Sequence, residues 1–170
     1  MSKKAIGLTE EGIQIAELAA GGAAPAEGSF AALGKTYKDT ATLETEEGDT
    51  ISCDCEELND PEDEIYLPGK TTLKYSTSDL DPEICHKVFG GTLSEDKSSW
   101  DAPTDIAAKE VAVRFTTKTG LKVTIGRAKM FTRINWAIKK DGYGLLEHTL
   151  TVLTPQAAGV KKMSIEDTTA

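Results

Sequence analysis

Three cysteines are the most reactive side chains in the sequence, and their spacing bears on metal binding. Cys53 and Cys55 are separated by one residue, and Cys85 is followed directly by His86. These four side chains could supply a zinc site, but structural zinc sites usually place their paired cysteines about two to four residues apart. An odd number of cysteines also fits reduced thiols better than a disulfide framework. We therefore expect buried free thiols and no metal site.

Nucleophilic catalysis would need a base beside a thiol or hydroxyl, and the sequence has two histidines to offer. His86 follows Cys85 in a short predicted helix, and His148 lies in a predicted strand. No local motif supports a Cys85–His148 dyad. The pairs Gly21-Gly22 and Gly90-Gly91 lack the strand–loop–helix context and the Lys-Ser/Thr of a phosphate loop. We expect no enzyme activity, no catalytic residues and no cofactor.

Carboxylates could bind calcium or hydrolyse glycosides, and the sequence concentrates them in one segment. Twelve acidic residues and no lysine or arginine lie between Asp39 and Glu64. The Asp-x-Asp-x-Asp-Gly order of an EF-hand, with its closing Glu, is absent from this segment. Aromatic residues, which sugar sites tend to need, make up only 6% of the chain. We expect a solvated acidic loop here.

The charge of the chain is polarised along its length. The formal net charge is −9, yet nine basic residues lie between Lys109 and Lys140, opposed only by Glu110. The negative total argues against binding to nucleic acid by phosphate neutralisation, which needs a basic face. Two hypotheses remain for the polarity: two solvated faces, or complementary surfaces that meet between copies of the chain.

Alternating apolar residues predict strands in the second half of the chain. Val111, Val113 and Phe115 alternate with other residues, as in a half-buried strand. A longer strand is predicted over residues 121–138, where the apolar side chains move from odd to even positions at Gly126-Arg127. A β-bulge or bend is the physical way to make this change of phase without turning the strand inside out.

A hairpin is predicted at Asp141-Gly142, with a return strand over about residues 144–153. These two long strands and the one before them form a three-stranded meander. In the first half of the chain, shorter strands are predicted at residues 6–8, 12–18, 36–43 and about 70–76.

One helix is predicted, over residues 81–89. Asp81 can cap it, Pro82 suits the first helical position, and Gly90 can end it. Its apolar side chains recur with helical spacing and would face the core.

These elements predict a mostly β fold, sandwich or barrel-like, with one short flanking α-helix around residues 81–89. We expect a single domain over residues 1–155 with a long mobile loop at residues 19–34, because that loop is built largely of Ala and Gly. A flexible C-terminal tail is predicted at residues 156–170. The chain has no run of about 18 apolar residues and no signal sequence at its start, so we expect a protein folded inside a cell, without a membrane.

A resemblance to a known family appears in the middle of the chain. The stretch Pro68-Gly69-Lys70-Thr71-Thr72-Leu73-Lys74-Tyr75-Ser76-Thr77-Ser78-Asp79-Leu80-Asp81-Pro82-Glu83, running on to Val88-Phe89-Gly90-Gly91, resembles the middle of phage major tail tube proteins. That family places a strand after a Gly-Lys turn, then a short helix introduced by an aspartate and closed by Gly-Gly. An acidic Thr/Glu-rich segment precedes it and long alternating strands follow it, so the resemblance covers about residues 5–155.

The resemblance implies a sandwich or barrel-like subunit that forms hexameric rings, which stack into a tube for DNA. Other copies, other phage tail proteins and passing DNA, held without specific binding, would be its partners. It would reside in the virion tail, and in the bacterial cytoplasm during assembly. Loops bridge neighbouring rings in such proteins, so residues 19–34 and 54–67 are candidate assembly contacts. Acidic walls would repel DNA phosphates, and the basic run of residues 109–140 would have to face outward or be offset by carboxylates.

Two other functions fit the same sequence. One is a cytoplasmic β-sandwich binding or adaptor module that uses the acidic loop as its recognition surface. The other is a related tube of a contractile or secretion apparatus. Self-assembly separates a tube from an adaptor, because a ring-forming subunit needs edge strands and loops that pair with the next copy.

Overall fold

The computed structural model of the protein describes residues 3–169. Strands make up 45% of the chain and helical residues 8%, and the sheets are antiparallel. The prediction of a mostly β fold with one short α-helix is confirmed. In the described part of the chain, no helix is long and apolar enough to cross a membrane.

Twelve strands and one α-helix form the fold. In chain order the strands are β1 (Leu8–Glu17), β2 (Ala31–Ala32), β3 (Thr42–Thr45), β4 (Asp49–Cys53), β5 (Asp63–Leu67), β6 (Thr71–Thr77), β7 (Thr92–Leu93), β8 (Trp100–Asp101), β9 (Lys109–Thr117), β10 (Leu121–Asn135), β11 (Leu145–Val152) and β12 (Met163–Asp167). Helix α1 (Pro82–Phe89) lies between β6 and β7, and two 3₁₀ turns cover Ala20–Gly22 and Glu27–Ser29.

Eight strands form the main sheet, and four form two separate ribbons. The order in the main sheet is β2-β1-β9-β10-β11-β6-β3, and β12 pairs with β10 beside this path. One ribbon consists of β4 and β5, and the other of β7 and β8. Strands β9, β10 and β11 pair in sequence, so the predicted meander is confirmed.

Strand β10 exchanges one partner for another at a bulge near Gly126. On one edge of β10, residues 121–125 pair with β12 and residues 128–135 pair with β11. On the other edge β10 pairs with β9, with a register shift between Ile125 and Ala128. The predicted change of phase is therefore confirmed. The Gly126 N–H donates to the carbonyl of Lys162 at 3.2 Å, so the bulge also holds the segment that leads into β12.

The first strands differ from their predicted bounds. The strands predicted at residues 6–8 and 12–18 form one strand, β1, with a register shift between Leu8 and Ile13. Gly12 has a φ of 67°, a conformation that glycine adopts at low cost within such an irregularity. The strand predicted at residues 36–43 is wrong over most of its length, because Asp39 takes a positive φ of 61° and strand pairing starts again only at Thr42.

The C-terminal segment is not the free tail predicted for residues 156–170. Met163–Asp167 forms β12 and pairs with β10, with Ile165 opposite Val123. Beyond β12, the Thr168 N–H and hydroxyl both donate to the Gly120 carbonyl at 2.9 Å. The domain thus extends past its predicted end at residue 155, because β12 satisfies backbone groups on an edge of β10 that would otherwise lie unpaired.

The segment at residues 19–34, predicted as a long mobile loop, contains local structure. It carries the two 3₁₀ turns and ends in β2, which pairs with β1. The Arg114 guanidinium lies 4.4 Å from the centre of the Phe30 ring and donates to Glu27 at 2.5 Å. Leu33 is buried in the core. The mobility of this segment stays a prediction.

Helix α1 begins and ends where the sequence predicts. Pro82 is its first residue, and Gly90 follows its last with a φ of 76°. The Asp81 side chain makes no capping hydrogen bond, although the residue lies at the predicted cap position. Val88 and Phe89 are buried with the sheet residues, so the helix covers one face of the sheet.

A polar cluster lies inside the core. His148 on β11 is 1% exposed, and its two ring nitrogens are hydrogen-bonded to the hydroxyls of Thr77 at 2.9 Å and Thr132 at 2.8 Å. Its ring stacks at a tilt on Tyr75, with centroids 4.8 Å apart. Burial lowers the pKa of His148 to about 4, so the core contains a neutral imidazole whose nitrogens both have partners.

A substitution at the bulge tests the docking of β12. A Cβ on Gly126 would lie 2.2 Å from the Lys161 carbonyl oxygen and 2.7 Å from Val160, so Gly126→Ala must push this segment away. We expect a loss of roughly 1–3 kcal/mol in the free energy of unfolding, measured by urea denaturation, and faster amide exchange in β12. Gly28→Ala is the control, because no atom lies within 4 Å of its added Cβ. Equal stability of the two variants would contradict this account of the bulge.

The buried histidine makes stability depend on pH. The unfolded chain binds a proton on His148 near pH 6.5 and the folded chain only near pH 4, so stability falls as the pH decreases between these values. From pH 7.5 to pH 5.0 the free energy of unfolding should fall by about 2 kcal/mol more in the wild type than in His148→Gln. His86→Gln, which removes the other histidine, is the comparison variant. Parallel pH profiles for wild type and His148→Gln would exclude this role.

Candidate assembly surface

The face of β10 that is buried in the core becomes exposed to solvent near the end of the strand. Met130 and Thr132 are 3% and 5% exposed, but Ile134, the next residue on the same face, is 48% exposed. The strand predicted to reach residue 138 ends at Asn135. Beyond this point the predicted alternation is wrong, because β11 begins only at Leu145 and no strand pairs with the intervening residues.

The connection between β10 and β11 presents large apolar side chains to solvent. Trp136 is 52% exposed, Tyr143 72% and Ile138 97%. Gly144 lies against the Trp136 indole, where an added Cβ would be 2.7 Å from Cδ1, so close packing fixes the ring at the base of the connection. We call residues 134–144 the hairpin tip. Single exposed apolar residues are common, but a group of this kind indicates an interaction site.

The charge at the hairpin tip is basic. Arg133, just before it, forms an ion pair with Glu147, which also accepts a hydrogen bond from the Asn135 amide at 2.6 Å. These two hydrogen bonds, that of Asn135 first, lower the pKa of Glu147. Lys139 and Lys140 are exposed and take part in no ion pair among residues 3–169. With Asp141 as the acidic residue of the same segment, the two lysines leave the tip with a formal charge of +1.

The ribbon of β4 and β5 is a second exposed hairpin. Every residue of both strands is exposed, and in the sheet topology the two strands pair only with each other. Ile51 and Ile65 lie opposite one another and are each 50% exposed, and Leu67 lies on the same face, 46% exposed. An isolated two-stranded hairpin is marginally stable in water. We call residues 49–67 the acidic arm, and its apolar face has no cover within the described chain.

The loop of the acidic arm holds much of the acidic run found in the sequence. It also carries the paired cysteines: Cys53 is exposed, and the Cys55 thiol donates to the Glu62 carboxylate at 2.8 Å. This hydrogen bond raises the pKa of the Cys55 thiol and disfavours its thiolate. The prediction of buried thiols holds for Cys85 alone. The predicted assembly contact at residues 54–67 lies within the acidic arm; its role in assembly stays a prediction.

The structure does not bring the possible zinc ligands together. Cys85 is buried beneath the sheet with Val88 and Phe89, whereas Cys53 and Cys55 lie on the arm. Across residues 3–169, no group of three or more His, Cys, Asp or Glu side chains could hold a metal ion. The acidic residues of the arm therefore do not converge on a calcium site either.

A catalytic dyad of Cys85 and His148 is likewise not formed. Both nitrogens of the His148 ring are taken by threonine hydroxyls, so neither is directed at a thiol. Burial is the main cause that raises the pKa of Cys85, which disfavours the reactive thiolate.

A cleft of about 1120 Å³ lies between the two ends of the main sheet. It is lined by β1, by the segment from Gly34 to Leu43, and by Phe115 on β9. The Oγ1 atoms of Thr9 and Thr36, on opposite walls, are buried without a hydrogen-bond partner in the described structure. Strands from both ends of the strand order line this cleft, so the main sheet curves strongly. Within the described residues, backbone hydrogen bonds do not close the sheet into a barrel.

No family model matches the sequence, and a search of curated proteins finds no match. Two exposed hairpins, the hairpin tip and the acidic arm, are therefore the features from which function can be argued.

The sequence predicts the hairpin at Asp141-Gly142 but not the β4–β5 hairpin, for which it predicts an acidic loop, and it does not predict that both hairpins expose apolar side chains. Trp136 and Ile138 were assigned to a buried face because they continue the alternation of β10. Ile51 and Ile65 were overlooked within the acidic run, although their spacing would place both on one face of a hairpin. The signal that could have revealed the arm is alternation on either side of the Asp/Glu-rich loop.

The hairpin tip should govern association without affecting folding. Ile138 is 97% exposed, so Ile138→Ser should change the free energy of unfolding by less than about 0.5 kcal/mol. If Ile138 is buried between copies, the same change should weaken self-association about tenfold, as measured by sedimentation at several concentrations. Ile106→Ser, at a site that is 48% exposed, is the control. Equal association of both variants would exclude the tip as a contact.

Proposed function

We propose that this protein is a structural subunit of a phage or prophage tail tube, which assembles into stacked hexameric rings around a DNA conduit. The observation that carries the proposal is the pair of exposed hairpins with apolar faces. A monomeric binding protein has no need to display Trp136, Ile138 and Tyr143 on one hairpin and Ile51 with Ile65 on another. A subunit whose neighbours bury these side chains does need to display them.

The ends of the main sheet also support assembly. Strand β3 lies at one end of the strand order, and all four of its residues are exposed; the two residues of β2 at the other end are exposed too. Exposed edges carry unpaired backbone groups that can pair with another chain. A ring in which strands of adjacent copies continue one another would use such edges.

The distribution of charge supports a conduit that DNA does not bind. The basic run of residues 109–140 contains three arginines, which are offset by carboxylates, and six lysines, which form no ion pair among the described residues. Each arginine is paired with a glutamate: Arg114 with Glu27, Arg127 with Glu110, and Arg133 with Glu147. With a net charge of −9, a tube of such subunits would repel phosphate rather than retain it.

Light scattering over a concentration series, with negative-stain images of the same samples, tests the proposal. We expect a species of six times the 18.2 kDa subunit mass, or filaments, increasing with concentration. Rings or tubes with a central channel in the images would support the conduit. A constant monomer mass at every concentration, with no particles of higher order, would contradict it.

An adaptor module is the second candidate, and one observation favours it. Both strands of the acidic arm are exposed along their whole length, and the arm could present carboxylates to a basic partner. A monomer in the same light-scattering series would make this the better explanation, because an adaptor keeps its arm free of other copies.

A further inference from the structure

We propose that the acidic arm of one copy docks on the hairpin tip of a neighbouring copy. The inference deepens the proposed tube function, on which it rests, by naming the two surfaces that join subunits. It concerns residues 49–67 of one molecule and residues 134–144 of the next.

The apolar parts of the two surfaces need the same kind of partner. Ile51, Ile65 and Leu67 are between 46% and 50% exposed on the arm, and Trp136 and Ile138 are more exposed on the tip. Both surfaces lie open in a single chain, so the arm does not cover the tip of its own molecule. Burying the two faces against each other would remove apolar area from water on both sides.

The charges of the two surfaces are opposite. The loop of the arm carries exposed acidic residues without a basic neighbour in the sequence, among them Glu56 and Glu57. The loop of the tip carries the exposed pair Lys139 and Lys140 against the single acidic residue Asp141, and neither lysine forms an ion pair among the described residues. Opposite charges around apolar centres select this pairing over arm with arm or tip with tip, where like charges would face one another.

The pairing joins two different surfaces, which determines how assembly continues. Without a two-fold axis between the copies, an interface between unlike surfaces is head-to-tail, so each bound copy still presents a free arm or a free tip. Such contacts close into rings or extend as filaments, whereas two copies that exchange arm and tip reciprocally about a two-fold axis stop at a dimer. A tube therefore requires the head-to-tail form of the arm–tip contact.

Reciprocal charge reversal tests the proposal. Variant A carries Glu56→Lys and Glu57→Lys, variant B carries Lys139→Glu and Lys140→Glu, and variant AB carries all four changes and keeps the net charge of −9. All four side chains are exposed, so circular dichroism and thermal unfolding should match the wild type. Lys161→Glu with Lys162→Glu, also exposed, is the control for variant B, and Glu10→Lys with Glu11→Lys is the control for variant A.

Sedimentation velocity is measured for each variant alone and for an equimolar mixture of A and B. Alone, A and B should each associate at least about tenfold more weakly than the wild type, because variant A places lysines where the arm meets the lysines of the tip and variant B makes the tip acidic like the arm. The mixture of A with B, and variant AB alone, should both regain association. The two control variants should associate like the wild type.

The outcomes separate this inference from the proposed function. If A and B alone associate as well as the wild type, or if the mixture of A and B does not associate more strongly than either alone, the arm–tip contact is wrong. Tubes formed by the wild type in that case would leave the tube function standing. If the mixture regains association but neither it nor the wild type forms rings or tubes, the contact stands and the tube function fails.

Discussion

The bulge of β10 at Gly126 is the constraint on which the rest of the fold depends. One strand must pair with β9 from Lys122 to Met130 along one edge while the other edge changes partner from β12 to β11. A straight strand with an uninterrupted alternation would turn its apolar side chains from the core to solvent at this point. The bulge keeps Ile125 and Ala128 both fully buried, each with 0% exposure. The C-terminal segment can dock there because Gly126 has no side chain to meet Lys161.

The core that this strand crosses specifies one register of the strands, because it contains polar groups as well as apolar ones. His148, Thr77 and Thr132 come from three adjacent strands, β11, β6 and β10, and their hydrogen bonds are satisfied only in the observed register. A slip of β11 by two residues would keep the same face of the strand toward the core but leave the buried imidazole without these partners, at a cost of roughly 1–3 kcal/mol. The hydrogen bonds of His148 therefore fix the register of the sheet where the apolar residues alone would tolerate alternatives.

Local pattern predicted most of this architecture and failed where burial depends on distant parts of the chain. The meander, the bulge and helix α1 follow from alternation, glycine and capping residues, which are local signals. Strand β12 was missed because its apolar residues, Met163 and Ile165, are few and its stability comes from the free edge of β10. The alternation at Trp136 and Ile138 predicts a strand where β10 has already ended at Asn135, because the sequence does not show that the buried part of this strand ends at Thr132.

The exposed apolar side chains of the hairpin tip and the acidic arm lower the solubility of the protein, and its charges partly counteract this effect. Net charge keeps copies apart over distances up to about one Debye length, roughly 8 Å at physiological salt. The apolar faces and the opposite charges of arm and tip act at contact, where salt screens them less than it screens the long-range repulsion. In the proposed assembly, a subunit with a net charge of −9 and a locally basic tip would therefore stay dispersed when dilute and still bind its neighbour in one orientation. There the polarity of charge along the chain, rather than its total, would favour ordered assembly over aggregation.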